Sequence, residues 1–169
     1  MSMSEFAQKE KIKYFLRKIP KDKNILEIGS GSGWAGDFLK KNGWTHYTGI
    51  DIVPPADIVG DIRDWRSLQM KEGSFDVIIA FEVVEHVDCF KECWDLLKRG
   101  GLLLLTTPVP HMDWILILME SLGLNQKRTS PHSRLAYLKD ILYFKNKQIR
   151  TVAFLSQWGI FKKEDHKEP

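Results

Sequence analysis

The chain has 169 residues, of which 43% are hydrophobic, which is enough for one domain with a buried core but too little for two. Its formal net charge is only +3, and an acidic middle, residues 49–95, separates two basic ends, so one continuous nucleic-acid-binding face is disfavoured. The two cysteines, Cys89 and Cys93, are too few for a disulfide framework and are predicted to be packed thiols. The N-terminus is polar and shows no signal peptide, which predicts a cytoplasmic protein. We expect a single domain over residues 1–169.

The first predicted element is a leading helix within residues 1–20. Phe6, Ile12 and Phe15 follow a helical spacing, and Pro20 ends the helix. The lysines of this segment are expected to face solvent: Lys9, Lys11, Lys13 and Lys18.

Residues 24–41 read as a strand, a tight turn and a helix. Three alternate glycines, Gly29, Gly31 and Gly33, form the turn. Glycine adopts positive φ without strain and lets the backbone approach a ligand, while the free N–H groups at the start of the helix point toward it. This pattern is typical of a site for a nucleoside-bearing cofactor, and a purely structural turn is the alternative.

The spacing of the glycines separates two cofactor classes. A dinucleotide fingerprint that starts at Gly29 needs a glycine where Trp34 stands, and the frame that starts at Gly31 and ends at Gly36 begins two residues past the strand. In addition, Glu27 places a carboxylate inside a buried strand, which is costly unless a partner such as a ligand ammonium satisfies it. Both observations disfavour a nicotinamide dinucleotide.

Glu27 followed by the three glycines resembles motif I of the class I S-adenosylmethionine (SAM) dependent methyltransferases, in which the acid and the glycines hold the methionine part of the cofactor. The resemblance is closest to the type 11 methyltransferase domain. It implies a doubly wound, mostly parallel α/β sheet of Rossmann-like type and SAM as the cofactor. The cofactor contacts that it implies in this motif are Glu27, Gly29, Ser30, Gly31, Gly33 and Trp34.

A second strand is predicted over residues 47–52, and it ends in an acid, Asp51. A carboxylate at this position of a βαβ unit can accept hydrogen bonds from both ribose hydroxyls. Asp51 and the adjacent Ile52 are therefore predicted to contact the cofactor.

A short third strand is predicted over residues 56–60. Asp61 and Ile62 follow it and resemble the family position at which an acid takes the adenine amino group. Asp57 is a competing candidate for this role.

Residues 74–80 form a continuous apolar run that predicts a fourth strand buried on both faces and resembles family motif IV. Phe81, Glu82 and His86 follow it, at the strand end where open α/β sheets bind ligands, and Phe81 is assigned to the cofactor. The Asp/Asn/Ser-Pro-Pro-aromatic tetrapeptide of methyltransferases that act on nucleic-acid base amines is missing here, so nucleic acid is disfavoured as the acceptor. Asp88 is predicted to cap the next helix.

The helix is predicted to end at residues 99–101, and residues 102–107 read as a fifth strand. Residues 109–130 resemble the substrate-covering insertion of the family and are predicted to form a lid. Their apolar part is too short to cross a bilayer, and residues 112–128 would allow peripheral contact with a membrane surface. A plain core helix is the third possibility.

After a further helix, residues 148–155 alternate like a strand and residues 159–161 suggest a short last one. The family sheet has seven strands, so the final pair is expected to be abbreviated. Residues 163–169 are predicted to be a flexible tail.

The resemblance implies a SAM-dependent methyltransferase acting on a small-molecule or metabolite acceptor, with oxygen favoured as the accepting atom. The candidate catalytic bases are His86, Glu82 and His132. A divalent metal held by Glu82, Glu85, His86 and His132 is an option, with a metal-free site as the default. A non-catalytic SAM-binding protein of the same fold and a nicotinamide oxidoreductase are the alternatives. The sequence indicates neither the acceptor nor the oligomeric state.

Overall fold

The computed structural model describes residues 3–110, 138, 141 and 143–164. Its helices are α1 (Met3–Tyr14), α2 (Trp34–Lys41) and α3 (Phe90–Leu96), with 3-10 turns at Leu16–Lys18 and Ile62–Asp64. Its strands are β1 (Ile25–Ile28), β2 (Tyr47–Asp51), β3 (Ile58–Val59), β4 (Phe75–Phe81), β5 (Leu97–Pro108), β6 (Lys145–Val152) and β7 (Ser156–Lys162).

The seven strands form one sheet in the order β3-β2-β1-β4-β5-β7-β6. Strands β1 to β5 run parallel, whereas β7 is antiparallel to both β5 and β6. Chain progression along the sheet reverses between β1 and β4, and open α/β sheets bind ligands beside such a point, at the carboxyl ends of the strands. The predicted doubly wound, mostly parallel sheet is confirmed.

Each face of the sheet has its own hydrophobic core. On one face, Phe15, which follows α1 directly, and Leu39 of α2 pack with Ile79 of β4. On the other face, Trp94 of α3 packs with Ile78 of β4. Because β4 is covered on both faces, it is apolar at nearly every position, as its continuous run predicted.

The final strand pair is complete, and the expectation that it is abbreviated is wrong. β6 has 8 residues and β7 has 7, and β7 pairs with β5 along its length. Residues 153–155 form the connection, in which Ala153 and Phe154 have φ values of 50° and 60°. Hairpin turns with two positive φ values usually contain asparagine, aspartate or glycine, and none of these residues stands at 153 or 154. The turn could therefore not be predicted from the sequence.

Two predicted boundaries around α3 also differ from the structure. The residue that caps α3 is Cys89 rather than Asp88, and it makes no capping hydrogen bond through its side chain. The helix ends at Leu96, so residues 99–101 already belong to β5. Cys89 and Cys93 are buried free thiols, as expected.

Several predicted segments lie outside the described residues. These are most of the lid at 109–130, the candidate base and metal ligand His132, and positions 165–169 of the tail. Lys163, the first residue of the predicted tail, is held in place because its Nζ donates hydrogen bonds to the carbonyl oxygens of Trp94 (2.6 Å) and Leu97 (2.8 Å). No helix in the described part of the chain is long and apolar enough to span a membrane.

Close packing of α2 on the sheet depends on Gly36. A Cβ atom there would lie 2.5 Å from Cζ of Tyr47, whose hydroxyl is itself held by a hydrogen bond to Glu27. Gly36 thus provides the close helix–strand approach that the dinucleotide fingerprint assigns to its third glycine, counted from Gly31. In this protein α2 approaches β2 closely because Gly36 packs against the Tyr47 ring.

We predict that Gly36→Ala lowers the free energy of unfolding by about 1–3 kcal/mol, because the added methyl group collides with the tethered Tyr47 ring. In a Tyr47→Ala background the same change should stabilise the protein by up to about 1 kcal/mol, since alanine is the better helix former. Chemical denaturation of the four proteins of this cycle measures both effects. Equal effects in the two backgrounds would contradict the proposed collision.

Candidate active site

A cleft of about 430 Å³ opens at the carboxyl ends of β1, β2 and β4. Seven of its lining residues were predicted to be functional: Gly29, Asp51, Ile52, Asp61, Ile62, Glu82 and His86. Six others were not: Ile28, Ile50, Gly60, Arg63, Val83 and Val87. The cleft therefore brings together the predicted positions from four separate stretches of the sequence.

The glycine turn begins the floor of this cleft. Gly29 has a φ of 70°, and its N–H donates a hydrogen bond to the carbonyl oxygen of Ile50 (2.8 Å). A Cβ atom at Gly29 would lie 2.5 Å from Cγ2 of Val83. Glycine is therefore required here both for its backbone conformation and for the close approach of the ends of β1 and β4.

Asp51, the last residue of β2, is hydrogen-bonded to the glycine turn. Its Oδ2 accepts a hydrogen bond from the N–H of Gly31 (2.8 Å), and its Oδ1 accepts one from the N–H of Val53 (3.2 Å). Each carboxylate oxygen has a second lone pair, so Asp51 can still accept two hydroxyl groups. Ile52, 71% exposed, adds an apolar surface to the cleft beside it.

The structure distinguishes Asp61 from its competitor Asp57. Asp61 lines the cleft, where it accepts hydrogen bonds from the Arg63 backbone N–H and guanidinium, and these bonds lower the pKa of its carboxyl group. Asp57 lines a separate cavity of about 270 Å³, where it pairs with Lys40 and accepts a hydrogen bond from the N–H of Gly49. Of these two aspartates, only Asp61 is therefore placed to contact a ligand in the cleft.

Glu27 has an internal partner in the structure. Its side chain is buried in β1, and the Tyr47 hydroxyl donates a hydrogen bond to it. Burial raises the pKa of Glu27 to about 7, although the bond from Tyr47 acts in the opposite direction. The buried Glu27 carboxyl group therefore has a hydrogen-bond partner within the protein. A ligand ammonium is not needed to offset the cost of its burial.

Glu82 carries the charge at the end of β4. Lys11 Nζ lies 2.9 Å from Glu82 Oε1, and the Thr106 hydroxyl donates a hydrogen bond to the same oxygen (2.8 Å). Partial desolvation works to raise the pKa of Glu82, but Lys11 and Thr106 outweigh it and the pKa is lowered. Glu82 is therefore an ionised carboxylate at neutral pH, and its side chain remains 41% exposed.

Lys11 corrects the prediction that the lysines of the leading helix all face solvent. It is 8% exposed, and its ammonium also lies 5.2 Å from the centre of the Phe81 ring. The signal was available, because Lys11 lies four residues before the buried Phe15 and so shares its helix face. The general preference of lysine for the surface obscured it.

Glu85 is a second carboxyl group near the cleft, and its pKa is shifted in the direction opposite to that of Glu82. It is 1% exposed and accepts a hydrogen bond from the Thr107 hydroxyl (3.2 Å). Burial, with a further contribution from the charge of Glu82, raises the pKa of Glu85 from 4.5 to about 8. Glu85 is therefore mostly protonated at neutral pH.

The remaining predicted cofactor residues do not line the cleft. Ser30 and Gly33 line the separate cavity of Asp57, and Gly31 contributes its N–H to Asp51. Trp34 and Phe81 stack on each other, with ring centres 6.1 Å apart. Their contact with a cofactor stays a prediction.

The metal option involves four side chains, which are those of Glu82, Glu85, His86 and His132. Within the described residues, no group of three or more His, Cys, Asp or Glu side chains is arranged to hold a metal ion. His132, the predicted fourth ligand, is not among those residues.

The chain is similar to known proteins in both sequence and fold. A family model described as a methyltransferase domain matches residues 3–151. A ubiquinone biosynthesis O-methyltransferase of Pseudomonas aeruginosa is 32% identical over 103 residues, which cover 50% of this chain and 44% of that enzyme. The chain thus spans about half the length of the curated relatives that it matches.

Two solved structures share the fold at low sequence identity. A protein from Pyrococcus horikoshii OT3 has a TM-score of 0.71 and 18% identity, covering 96% of this chain and 93% of its own. A SAM-dependent methyltransferase from Methanosarcina mazei has a TM-score of 0.59 and 20% identity, covering 88% and 96%. Both show that the fold of this chain follows a known architecture.

The raised pKa of Glu85 predicts a pH dependence of stability. Because folding raises this pKa, the native state binds more protons than the unfolded state between about pH 4.5 and 8, so stability is lost as the pH rises through this window. Glutamine cannot ionise, so across this window the free energy of unfolding of Glu85→Gln should rise relative to that of the wild type by up to about 1.4 kcal/mol per pH unit.

Chemical denaturation at pH 5, 6, 7 and 8 measures this difference, with Glu72→Gln, a change at an exposed carboxylate, as the control. Parallel pH profiles for the wild type and Glu85→Gln would show that Glu85 is not protonated in the native state.

Proposed function

Because the chain belongs to the methyltransferase domain family, we propose that it transfers the methyl group of SAM to an oxygen of a small-molecule acceptor. The family assignment confirms the cofactor that the glycine turn predicted. The proposed acceptor class draws on the partial similarity to an O-methyltransferase and on the absence of a nucleic-acid signature.

The residues of the cleft fit the nucleoside part of this cofactor. Asp51 offers free lone pairs to the ribose hydroxyls, and the exposed Ile52 offers an apolar surface to the adenine ring. Asp61, at the end of β3, offers a carboxylate to the adenine amino group. When bound, SAM supplies an electrophilic methyl group on a sulfonium centre.

The observation that carries the proposal is the ionised carboxylate of Glu82 in a cleft that also holds Asp51. The Lys11 ammonium neutralises this carboxylate, so Glu82 acts as an oriented hydrogen-bond acceptor, and Lys11 and Thr106 hold its side chain in place without solvent reorganisation. Methyl transfer from a sulfonium needs mainly positioning and the exclusion of water, so such pre-oriented groups are sufficient.

We assign the role of base to His86, which lines the cleft with Glu82. The lowered pKa of Glu82 makes its carboxylate a weak proton acceptor, whereas an imidazole is the side chain best suited to take a proton near neutral pH. In this proposal Glu82 orients the reactants and His86 accepts the hydroxyl proton of the acceptor.

Asp51→Ala should weaken binding of S-adenosylhomocysteine, the demethylated cofactor, by about 1.5–3 kcal/mol, or roughly 10- to 150-fold, since charge-assisted hydrogen bonds to the ribose are lost. Titration calorimetry gives the two dissociation constants. Asp57→Ala, a carboxylate lost from the neighbouring cavity, should leave binding unchanged.

Equal losses in these two variants would contradict the placement of the ribose at Asp51. Binding of NAD in place of S-adenosylhomocysteine would contradict the proposed function as a whole.

His86→Ala should reduce the rate of methyl transfer by roughly 10²- to 10⁴-fold, the usual contribution of a general base, with little change in cofactor affinity. The assay uses methyl-labelled SAM and protein-free fractions of cell extract, and mass spectrometry identifies the labelled product. His46→Ala, at an exposed histidine before β2, is the matched control. An unchanged rate of methyl transfer in His86→Ala would exclude His86 as the base. Cofactor binding by the wild type without any labelled product would favour a non-catalytic SAM-binding protein.

A further inference from the structure

Arg63 is the only arginine or lysine among the described residues that line the cofactor cleft. It follows Asp61 by two positions and belongs to the 3-10 turn Ile62–Asp64. Its side chain is 62% exposed, so the hydrophobic core does not depend on it. The guanidinium group of Arg63 is therefore available to a ligand in the cleft.

This guanidinium group is held in one orientation although it is exposed. Its Nε donates hydrogen bonds to both carboxylate oxygens of Asp61 (3.0 and 3.1 Å), and its Nη2 donates to Oδ2. The backbone N–H of Arg63 also donates to Asp61 Oδ1 (2.9 Å), so the aspartate caps the turn that carries its own partner. An arginine that pairs through two nitrogens is fixed in direction as well as in distance. Asp61 and Arg63 thus form a preoriented pair.

The outer edge of this pair presents a hydrogen-bond acceptor next to a donor. Nη2 carries two N–H groups and directs one of them to Asp61 Oδ2. Oδ2 in turn has two lone pairs, and one of them accepts this bond. A lone pair of Asp61 Oδ2 and an N–H of Arg63 Nη2 therefore lie side by side for a ligand.

Adenine has the complementary pattern along one edge of its six-membered ring. The 6-amino group is a donor, and the neighbouring ring nitrogen N1 is an acceptor. A base whose amino group faces Asp61 thus brings N1 to the Nη2 group of Arg63. Hypoxanthine, the deaminated base, has the reverse pattern, because its 6-oxygen is an acceptor and its N1 carries a hydrogen. Both of its contacts would then join like groups, which leaves polar atoms unpaired.

We propose that Arg63 determines the specificity of the cofactor site by donating a hydrogen bond to N1 of adenine, while Asp61 accepts one from the 6-amino group. This assignment rests on the proposed function above. The exposed Ile52 supplies apolar surface for the face of the base, and the Asp61–Arg63 pair supplies the contacts with its edge.

Arg63 also provides the counter-charge that Asp61 needs when a base covers it. The Asp61 side chain is 28% exposed, and a bound base removes it further from water. Burial of an unpaired carboxylate is costly, whereas a hydrogen-bonded partner of opposite charge offsets much of that cost. The hydrogen bonds from Arg63 lower the pKa of the Asp61 carboxyl group, which keeps this acceptor ionised at neutral pH.

The probe for the contact with N1 is the 1-deaza analogue of S-adenosylhomocysteine, in which a C–H group replaces this ring nitrogen. Calorimetry with the full chain should show that the wild type prefers S-adenosylhomocysteine to the analogue by about tenfold, because the analogue cannot accept the bond from Arg63. In Arg63→Met, which has a long side chain without N–H groups, this preference should disappear. Any effect of the variant on Asp61 weakens both ligands and cancels in the ratio of their affinities.

Arg66→Met is the matched control. Arg66 is an exposed arginine three positions further on, and it pairs with Asp95 instead of lining the cleft. Its removal should leave the tenfold preference, expected from one charge-assisted hydrogen bond, unchanged.

S-inosylhomocysteine, which carries hypoxanthine, tests the whole edge. The wild type should prefer S-adenosylhomocysteine to it by at least about 100-fold, because both polar contacts are mismatched. Arg63→Met should reduce this preference by about tenfold, since the contact with Asp61 remains.

The role of Arg63 is overturned if the wild type binds the 1-deaza analogue as tightly as S-adenosylhomocysteine. It is also overturned if the preference persists in Arg63→Met, because another donor would then contact N1. Failure of S-adenosylhomocysteine to bind the wild type is a different result, since it overturns the proposed function itself.

Discussion

The reversal of strand order between β1 and β4 is the constraint on which this molecule depends. β1 pairs in parallel with both β2 and β4, and the helices that follow β1 and β4 lie on opposite faces of the sheet, so a gap opens above the carboxyl end of β1. The gap is kept narrow by Gly29, where a side chain would collide with Val83. The cleft therefore follows from topology and from one close backbone approach.

Three carboxyl groups near this gap differ in charge because their surroundings differ. Glu82 is held ionised by Lys11 and Thr106, Glu85 is mostly protonated because it is buried beside Glu82, and Glu27 titrates near pH 7 against Tyr47. The result is an ion pair between Glu82 and Lys11 at the edge of the cleft. Lys11 joins α1 to this point, so the leading helix serves as a wall of the site as well as part of the core.

Much of the fold and part of the site could be predicted from the sequence, because the decisive features are local. The glycine turn, the apolar run of β4 and the acid at the end of β2 are each visible within a few residues. The contact between Lys11 and Glu82 was missed because it joins residues 71 positions apart, and lysine usually lies at the surface.

Tyr47 was missed for the same reason, since its role depends on Glu27 and Gly36 from two other elements. The complete last strand pair was missed because Ala153 and Phe154 form a turn without any of the residues that normally mark one. Long-range pairing and strained turns are set by tertiary packing, which a single sequence does not display.

We propose that the cofactor lies at the switch point, with its ribose on Asp51 and its base beside Asp61. A crystal structure of the protein with S-adenosylhomocysteine tests it most directly. We expect ligand density in the cleft of about 430 Å³ between Gly29 and Ile62, with the homocysteine end toward Glu82. Density in the neighbouring cavity between Ser30 and Asp57, with the cleft empty, would contradict it.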